Sequence, residues 1–198
     1  MDGNKKKPLA LLLLIVIAIV AADQATKYAA QSKLLKERFF ERTDTYPCCL
    51  GGEQDLARSR FVRSQRNSVS VIDDFFNLKY VENCASAFGM MGNLSESVRF
   101  RLLIIVTCIA ILFILPFLYQ KTPPDQHLTI YGLSFLQGGA IGNLVDRLVH
   151  RYVIDFVDWY IIINGKPIHW ATFNVADVAI VIGMGLVLLQ MALGKRTS

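Results

Sequence analysis

The sequence lacks the cysteine and histidine spacing of a metal site. Its four cysteines form no C-x-x-C motif, and its three histidines are scattered along the chain. Because zinc ligands normally occur as closely spaced groups of these residues, we predict no metal and no other cofactor. The sequence also lacks an internal repeat and any low-complexity tract, which excludes a repeat architecture.

Charge is absent from three long stretches, and this absence indicates membrane spans. Residues 102–119, 128–145 and 178–193 contain no charged side chain, and the first two of these are long enough to cross a bilayer. A fourth apolar block, residues 9–22, reaches that length only if its helix continues through "DQATKYAA". The basic "GNKKK" and the small residues of "VAADQA" also fit a cleaved signal peptide, so the residues alone leave that alternative open.

The positive charges near the spans predict how the chain crosses the membrane. Short loops rich in lysine and arginine favour the cytoplasmic side. With four crossings, the basic residues nearest the spans all fall on one side, so we expect both termini in the cytoplasm. The net charge of +5 then reflects topology and does not indicate nucleic-acid binding. These basic residues are Lys5, Lys6, Lys7, Lys121, Lys195 and Arg196.

We therefore predict a single integral membrane domain, residues 1–198, of the all-α membrane class. Its four-helix bundle should carry a small extracytoplasmic β-sheet cradle, including a hairpin that turns at Asn164-Gly165, and an outer amphipathic helix. The predicted segments are a first span at about 8–29, an outer segment at about 30–98, a second span at about 99–119, a third at about 128–149, an outer hairpin at about 150–173 and a fourth span at about 174–193.

Polar residues gather at the outer ends of the predicted spans. Sequence-distant carboxylates should converge there, where ionisable groups are costly and usually functional. The residues are Asp23 and Lys27 on the first helix, Asp146 and Arg147 on the third, Asp155 just beyond it, and Asp177 in the first turn of the fourth.

Small residues on the third helix support this convergence. Residues four apart share a helix face, and small ones allow helices to approach closely in lipid. One row should therefore be buried in the bundle, although it could be a packing seam alone. That row is Ser134, Gly138, Gly142 and Asp146, and the adjacent row is Phe135, Gly139, Asn143 and Arg147.

Simpler interpretations exist for some of these groups. Asp23 and Lys27 are spaced for a local helical ion pair, and Asn174 with Asp177 is spaced as a helix cap. Two carboxylates that share a site can activate water, because one retains a proton while the other is ionised. Spacing does not choose the pair among Asp23, Asp146, Asp155, Asp158 and Asp177.

The motifs themselves resemble a known family. "DQATKY", "FFNLKYVENCASAF", "GGAIGNLVDR" followed by "VIDFVD", and "FNVAD" occur in that order. Together they are similar to the sequence blocks of lipoprotein signal peptidase, also called signal peptidase II. The resemblance covers every predicted span and both outer loops, and it implies that the first helix is retained.

This resemblance implies an intramembrane aspartyl endopeptidase of the bacterial inner membrane. Such an enzyme cuts diacylglyceryl-modified prolipoproteins just before the lipidated cysteine, so the expected partners are these substrates and membrane lipid, without nucleic acid, and we expect a monomer. The resemblance implies Asp155 and Asp177 as the catalytic pair near the outer face. It implies substrate-binding or supporting roles for Asn83, Gly139, Asn143, Asp146, Arg147, Asn174, Asp23 and Lys27.

The sequence departs from the family pattern at a few positions, and two alternatives stay open. Ala85 stands where glycine is usual, Ala171 stands where proline is common, and "INGKPI" reads as a small extension of the second outer loop. One alternative is a non-enzymatic membrane protein that binds lipoproteins or transports a solute. The other is a peptidase that uses Ser86 with Lys27.

Overall fold

The computed structural model describes residues 9–34, 68–83 and 96–194. The predicted outer amphipathic helix lies outside these residues, as do Cys48, Cys49, Cys84 and Ser86. The described elements are α1 (Leu9–Leu34), β1 (Ser68–Ile72), β2 (Phe76–Asn83), α2 (Glu96–Ile109), a π-helical turn (Ala110–Ile114), α3 (Leu115–Lys121), α4 (His127–His150), β3 (Val153–Ile163), β4 (Lys166–His169) and α5 (Val175–Gly194).

Within the described ranges, four helical segments are long and apolar enough to cross a membrane, as predicted. They are Leu9–Leu34, Phe100–Lys121, His127–His150 and Val175–Gly194. The second is one continuous helix made of α2, the π-helical turn and α3. Pro116 in the first turn of α3 has no backbone N–H for the helical ladder, which accounts for the irregular turn beside it. These helices confirm the membrane fold class.

The described chain divides into two compact units. The first comprises Met1–Gln24, Ile105–Leu144 and Val175–Ser198, and the second comprises Ala25–Ile104 and Val145–Asn174. The first unit is helical in its described part. The second holds the β-strands together with the ends of α1 and α4 and the start of α2.

In the first unit, glycines on α4 permit close contact with two other helices. A Cβ atom on Gly138 would lie 2.9 Å from Cβ of Ile19 on α1. A Cβ atom on Gly132 would lie 2.7 Å from the carbonyl oxygen of Gly183 on α5. One on Gly139 would collide with the carbonyl oxygen of Ala176. The small residues of α4 therefore serve two packing faces, one toward α1 and one toward α5.

In the second unit, the described strands form an antiparallel sheet of four strands in the order β1-β2-β3-β4. The β3–β4 hairpin turns at Asn164-Gly165, as predicted, and both residues have positive φ, at 52° and 73°. Paired positive φ values are typical of the two-residue turn whose twist matches the strands. The strand-like stretch around residues 68–83 forms a second hairpin, with Asp74 at φ 61° in its turn.

A bulge in β2 and a returning segment position polar residues against β3. Leu78 pairs with Val157 and Val81 with Asp155, so β2 carries one more residue than β3 between these pairs. On the other side of β3, Val157 bridges to Phe173, whose carbonyl oxygen accepts the N–H groups of Phe156 and Val157. The residue after Phe173 is thereby held beside β3.

We predict that Gly139→Ala weakens the contact between α4 and α5. The new methyl group meets the backbone of Ala176 and lies 2.7 Å from Cγ1 of Ile180, so a helix must move. The expected loss is about 1–3 kcal/mol in the free energy of unfolding, measured by detergent-induced unfolding in mixed micelles.

Gly185→Ala is the matched control, because a Cβ atom there meets nothing within 4 Å. It should leave stability unchanged or raise it by about 0.5–1 kcal/mol through helix propensity. Equal effects of the two substitutions would contradict the packing assignment.

Candidate active site

Asp155 in β3 is held through both of its carboxylate oxygens by asparagine amides. Asn83 at the end of β2 donates from Nδ2 to Oδ2 at 2.8 Å, and Asn174 donates from Nδ2 to Oδ1 at 2.7 Å. Asp155 is 2% exposed and Asn174 is fully buried. Because buried polar groups need such partners, these two neutral donors help to fix the orientation of the carboxylate.

A buried ion pair lies in the same unit. Lys27 of α1 approaches Asp146 of α4 at 2.9 Å, Nζ to Oδ2, and each side chain is 1% exposed. The same Asp146 oxygen accepts the backbone N–H of Ile154, the residue before Asp155, at 2.9 Å. The pair therefore links two helix ends to the strand that carries Asp155.

Asp177 belongs to the first unit and is held by another asparagine. Asn143 of α4 donates from Nδ2 to Oδ1 of Asp177 at 2.9 Å. Asn143 is buried, whereas Asp177 is half-buried in the first turn of α5. A carboxylate is favoured at this position because the amino end of a helix carries a partial positive charge.

Asp23 of α1, also in the first unit, anchors the start of α5. Its Oδ1 accepts the backbone N–H of Ala176 at 2.9 Å, one of the amides that a helix leaves without an internal partner. Gln24 donates from Nε2 to Oδ2 of Asp23 at 3.1 Å and to the carbonyl oxygen of Gly142 at 3.2 Å. A Cβ atom on Gly142 would lie 2.6 Å from Asp23, so this glycine makes room for the carboxylate.

Asp158, a further candidate from the sequence, lies in a separate polar cluster of the second unit. Its Oδ1 is 2.7 Å from Nζ of Lys79, and both of its oxygens are 3.0 Å from Nδ1 of His169. The sequence reasoning missed Lys79 and His169. The hairpin turn could have located His169, because a two-residue loop at 164–165 pairs residue 160 with residue 169, diagonally next to Asp158.

Two further residues of the predicted site, Gly139 and Arg147, lie on α4. Gly139 lies against the backbone of Ala176 in the first unit. Arg147 follows Asp146 in the second unit and is half-buried. Burial raises the pKa of Tyr80, and a hydrogen bond to Tyr152 adds to this effect, so the phenol of Tyr80 is neutral at physiological pH.

Apolar helices of spanning length with buried carboxylates near their ends indicate a multi-pass membrane protein with a functional polar site. The sequence model of one family, described as signal peptidase (SPase) II, matches residues 15–193, which is most of the chain. The chain therefore belongs to the signal peptidase II family, and it is an aspartic peptidase. This confirms the resemblance that the motifs indicated, and it removes the non-enzymatic alternative.

Individual relatives agree with this membership. A lipoprotein signal peptidase from Anaeromyxobacter sp. (strain Fw109-5) is 36% identical over 94% of this chain and 86% of its own length. One from Moorella thermoacetica (strain ATCC 39073 / JCM 9320) is 34% identical over 91% of this chain and 92% of its own. A solved bacterial membrane enzyme superposes with a TM-score of 0.67 at 27% identity, covering 100% of this chain and 95% of that one.

We predict that Lys27→Met destabilises the protein strongly, because it leaves the Asp146 carboxylate buried without its positive partner. Breaking a buried pair in this way costs about 3–5 kcal/mol. Unfolding in mixed micelles measures the loss. Lys33→Met on the same helix is the control, since Lys33 is exposed and should tolerate the change.

The double variant Lys27→Met with Asp146→Asn should recover part of the loss, because it removes the stranded charge and keeps an oxygen for the N–H of Ile154. If Lys27→Met were as mild as Lys33→Met, the ion pair would not be the stabilising contact described here.

Proposed function

We propose that Asp155 and Asp177 are the catalytic pair of this enzyme. As a member of its family, the chain is a lipoprotein signal peptidase that cleaves the signal peptides of prolipoproteins. The observation that supports this pair is the kind of partner each aspartate has. Asn83 and Asn174 hold Asp155, and Asn143 holds Asp177, all through neutral amides.

The other candidate carboxylates have partners that suit a structural role. Asp146 pairs with Lys27 at 2.9 Å and Asp158 with Lys79 at 2.7 Å, so each of these aspartates is engaged in an ion pair with a lysine. Asp23 anchors the backbone of α5. A group that must exchange a proton during catalysis cannot be tied to a permanent positive charge without losing basicity. The asparagine contacts of Asp155 and Asp177 therefore support these two as the acid and the base.

Chain connectivity also supports a shared site for the two aspartates. Asn174, which donates to Asp155, lies three residues before Asp177 at the start of α5. Asn143, which donates to Asp177, lies three residues before Asp146 on α4. We infer supporting positions for Gly139 and Arg147 along the same helix.

The proposed mechanism uses one proton shared between the two carboxyl groups. The ionised carboxylate takes a proton from water while the water oxygen attacks the scissile carbonyl carbon. The protonated partner donates a hydrogen bond to the carbonyl oxygen and stabilises the charge that develops there. Collapse of the tetrahedral intermediate then breaks the C–N bond, and a proton passes from the dyad to the leaving amine.

We further propose that the bond cut lies just before a diacylglyceryl-modified cysteine and that the enzyme acts as a monomer in the bacterial inner membrane, among its lipids. Both termini would be cytoplasmic and the catalytic pair would lie near the outer face. The basic residues that flank the spans support this orientation.

The contact of Lys27 argues against the serine–lysine alternative. A lysine that activates a serine must be neutral to accept its proton. Lys27 Nζ lies 2.9 Å from Oδ2 of the buried Asp146, so this amine is already engaged by a carboxylate. The aspartyl mechanism is therefore the one that these contacts support.

We predict that Asp155→Asn and Asp177→Asn each reduce cleavage on the order of 10³-fold or more, because neither amide can take a proton from water. Cleavage is measured with purified protein in lipid and a diacylglyceryl-modified prolipoprotein, resolved by gel mobility. Both variants should remain folded.

Asp125→Asn in the exposed link between α3 and α4 is the control and should cleave normally. Substantial cleavage by either dyad variant would refute the pair. Loss of activity in Ser86→Ala, with both aspartate variants active, would instead support the serine mechanism.

We predict that Asn83→Ala lowers kcat by about 10²-fold with a smaller effect on KM, because it removes one of the two donors that orient Asp155. Asn77→Ala on the same strand is the control, since Asn77 pairs across from Asp158 instead. An equal loss in both variants would mean that Asn83 has only a general structural role.

A further inference from the structure

The β3–β4 hairpin carries an exposed apolar face that the proposed mechanism does not use. On β3, Trp159, Ile161 and Ile163 alternate onto one side of the strand. Across from them on β4, Ile168 pairs with Ile161, and the N–H of Trp170 donates to the carbonyl oxygen of Trp159. These five residues, called here the hairpin face, are each between 46% and 70% exposed.

The opposite side of the same hairpin is more polar. Tyr160 stacks on His169 with ring centroids 4.9 Å apart, and His169 contacts the buried Asp158. Pro167 pairs with Ile162 on this side. The hairpin face is therefore the more apolar side, with Lys166 opposite Ile163 at its end near the turn, whereas the other side mixes Tyr160 and His169 with Ile162 and Pro167.

The hairpin extends beyond the support of the sheet. The pairing of β2 with β3 ends at Phe76 and Trp159, and the residues after Tyr160 are paired only with β4. A two-stranded ribbon is marginal in water, and a contiguous exposed apolar patch usually marks an interaction surface. The hairpin face is therefore a candidate interaction surface, although Trp159 at its base also contacts the rings of Phe75 and Phe173.

Both ends of the hairpin are joined to membrane spans by short links. β3 begins at Val153, shortly after α4 ends at His150, and β4 ends at His169, shortly before α5 begins at Val175. Because both neighbours are candidate spans, the base of the hairpin lies near the membrane surface at that end of the helices. Tryptophan at the base and Lys166 near the turn match the residue types that anchor proteins at lipid headgroups.

The edge of the hairpin is less suited to a second copy of the chain. β4 is an edge strand, and an edge can recruit another strand through its free backbone groups. Pro167 removes one N–H from this short edge, and Lys166 adds a charge, both of which discourage such pairing. A bilayer needs no backbone partner and accommodates an apolar face directly.

We propose that the hairpin face inserts into the headgroup and upper acyl region of the phospholipid leaflet beside the carboxyl end of α4. It acts as an interfacial anchor that holds β3, the strand of Asp155, at the membrane surface.

The two tryptophans of the chain make this directly testable, because both lie on the hairpin face. The full-length protein is reconstituted in phosphatidylcholine vesicles with bromine near the headgroup end or near the methyl end of the acyl chains. We expect blue-shifted tryptophan emission that loses most of its intensity with shallow bromine and less with deep bromine. Trp159→Phe isolates Trp170, which is 70% exposed and should report most strongly.

Tryptophan emission that neither brominated lipid quenches would overturn the proposal, and quenching by aqueous acrylamide would then show what surrounds the hairpin. Free quenching by aqueous acrylamide would place the hairpin in water, and protection from acrylamide as well would indicate coverage by protein. Because no substrate is present, failure here would leave the assignment of Asp155 and Asp177 unaffected.

Neighbouring isoleucines provide matched variants. Ile161→Asn changes the hairpin face, whereas Ile162→Asn changes the opposite side at similar exposure, 53% against 44%. In the Trp159→Phe background, Ile161→Asn should reduce quenching by shallow bromine and shift emission to the red, while Ile162→Asn should leave both near the parent values. Equal effects would contradict the assignment of one lipid-facing side.

Discussion

Lys27 and Asp146 are almost completely withdrawn from water, and each depends on the other because an isolated buried charge is far more costly than a paired one. The pair joins α1 to α4, and Asp146 also accepts the N–H of Ile154. That backbone contact sets the position where β3 begins. The position of the strand that carries Asp155 therefore depends on this ion pair.

In the first unit, small residues allow buried carboxylates to reach their hydrogen-bond donors. Asp23 can reach the amide of Ala176 because Gly142 has no side chain to obstruct it. Gly139 lets the backbone of Ala176 approach α4, and Asn143, one turn further along, reaches Asp177. A carboxylate near lipid must find its hydrogen-bond donors on neighbouring helices. Close helix packing is therefore what allows these polar groups to be paired.

The proposed roles of the aspartates draw on the difference between amide and lysine partners. A lysine stabilises one protonation state, whereas an asparagine amide orients a carboxylate and leaves its charge free to change. Residue spacing alone does not choose among these aspartates, whereas the motif resemblance implies Asp155 and Asp177, and the contacts add support for that proposal. If the hairpin face is anchored in lipid as proposed, the same sheet would also hold this chemistry at the membrane surface.

The sequence alone determined the membrane class, the spans, the turn at Asn164-Gly165 and the family, because each is encoded in local hydropathy, local turn chemistry or contiguous motifs. It also predicted that carboxylates gather at the helix ends. Only the tertiary structure decided that Lys27 pairs with Asp146, that Asp23 anchors α5, and that Lys79 and His169 hold Asp158. Those contacts join residues far apart in the chain, and their choice depends on helix packing and strand register, which no local pattern specifies.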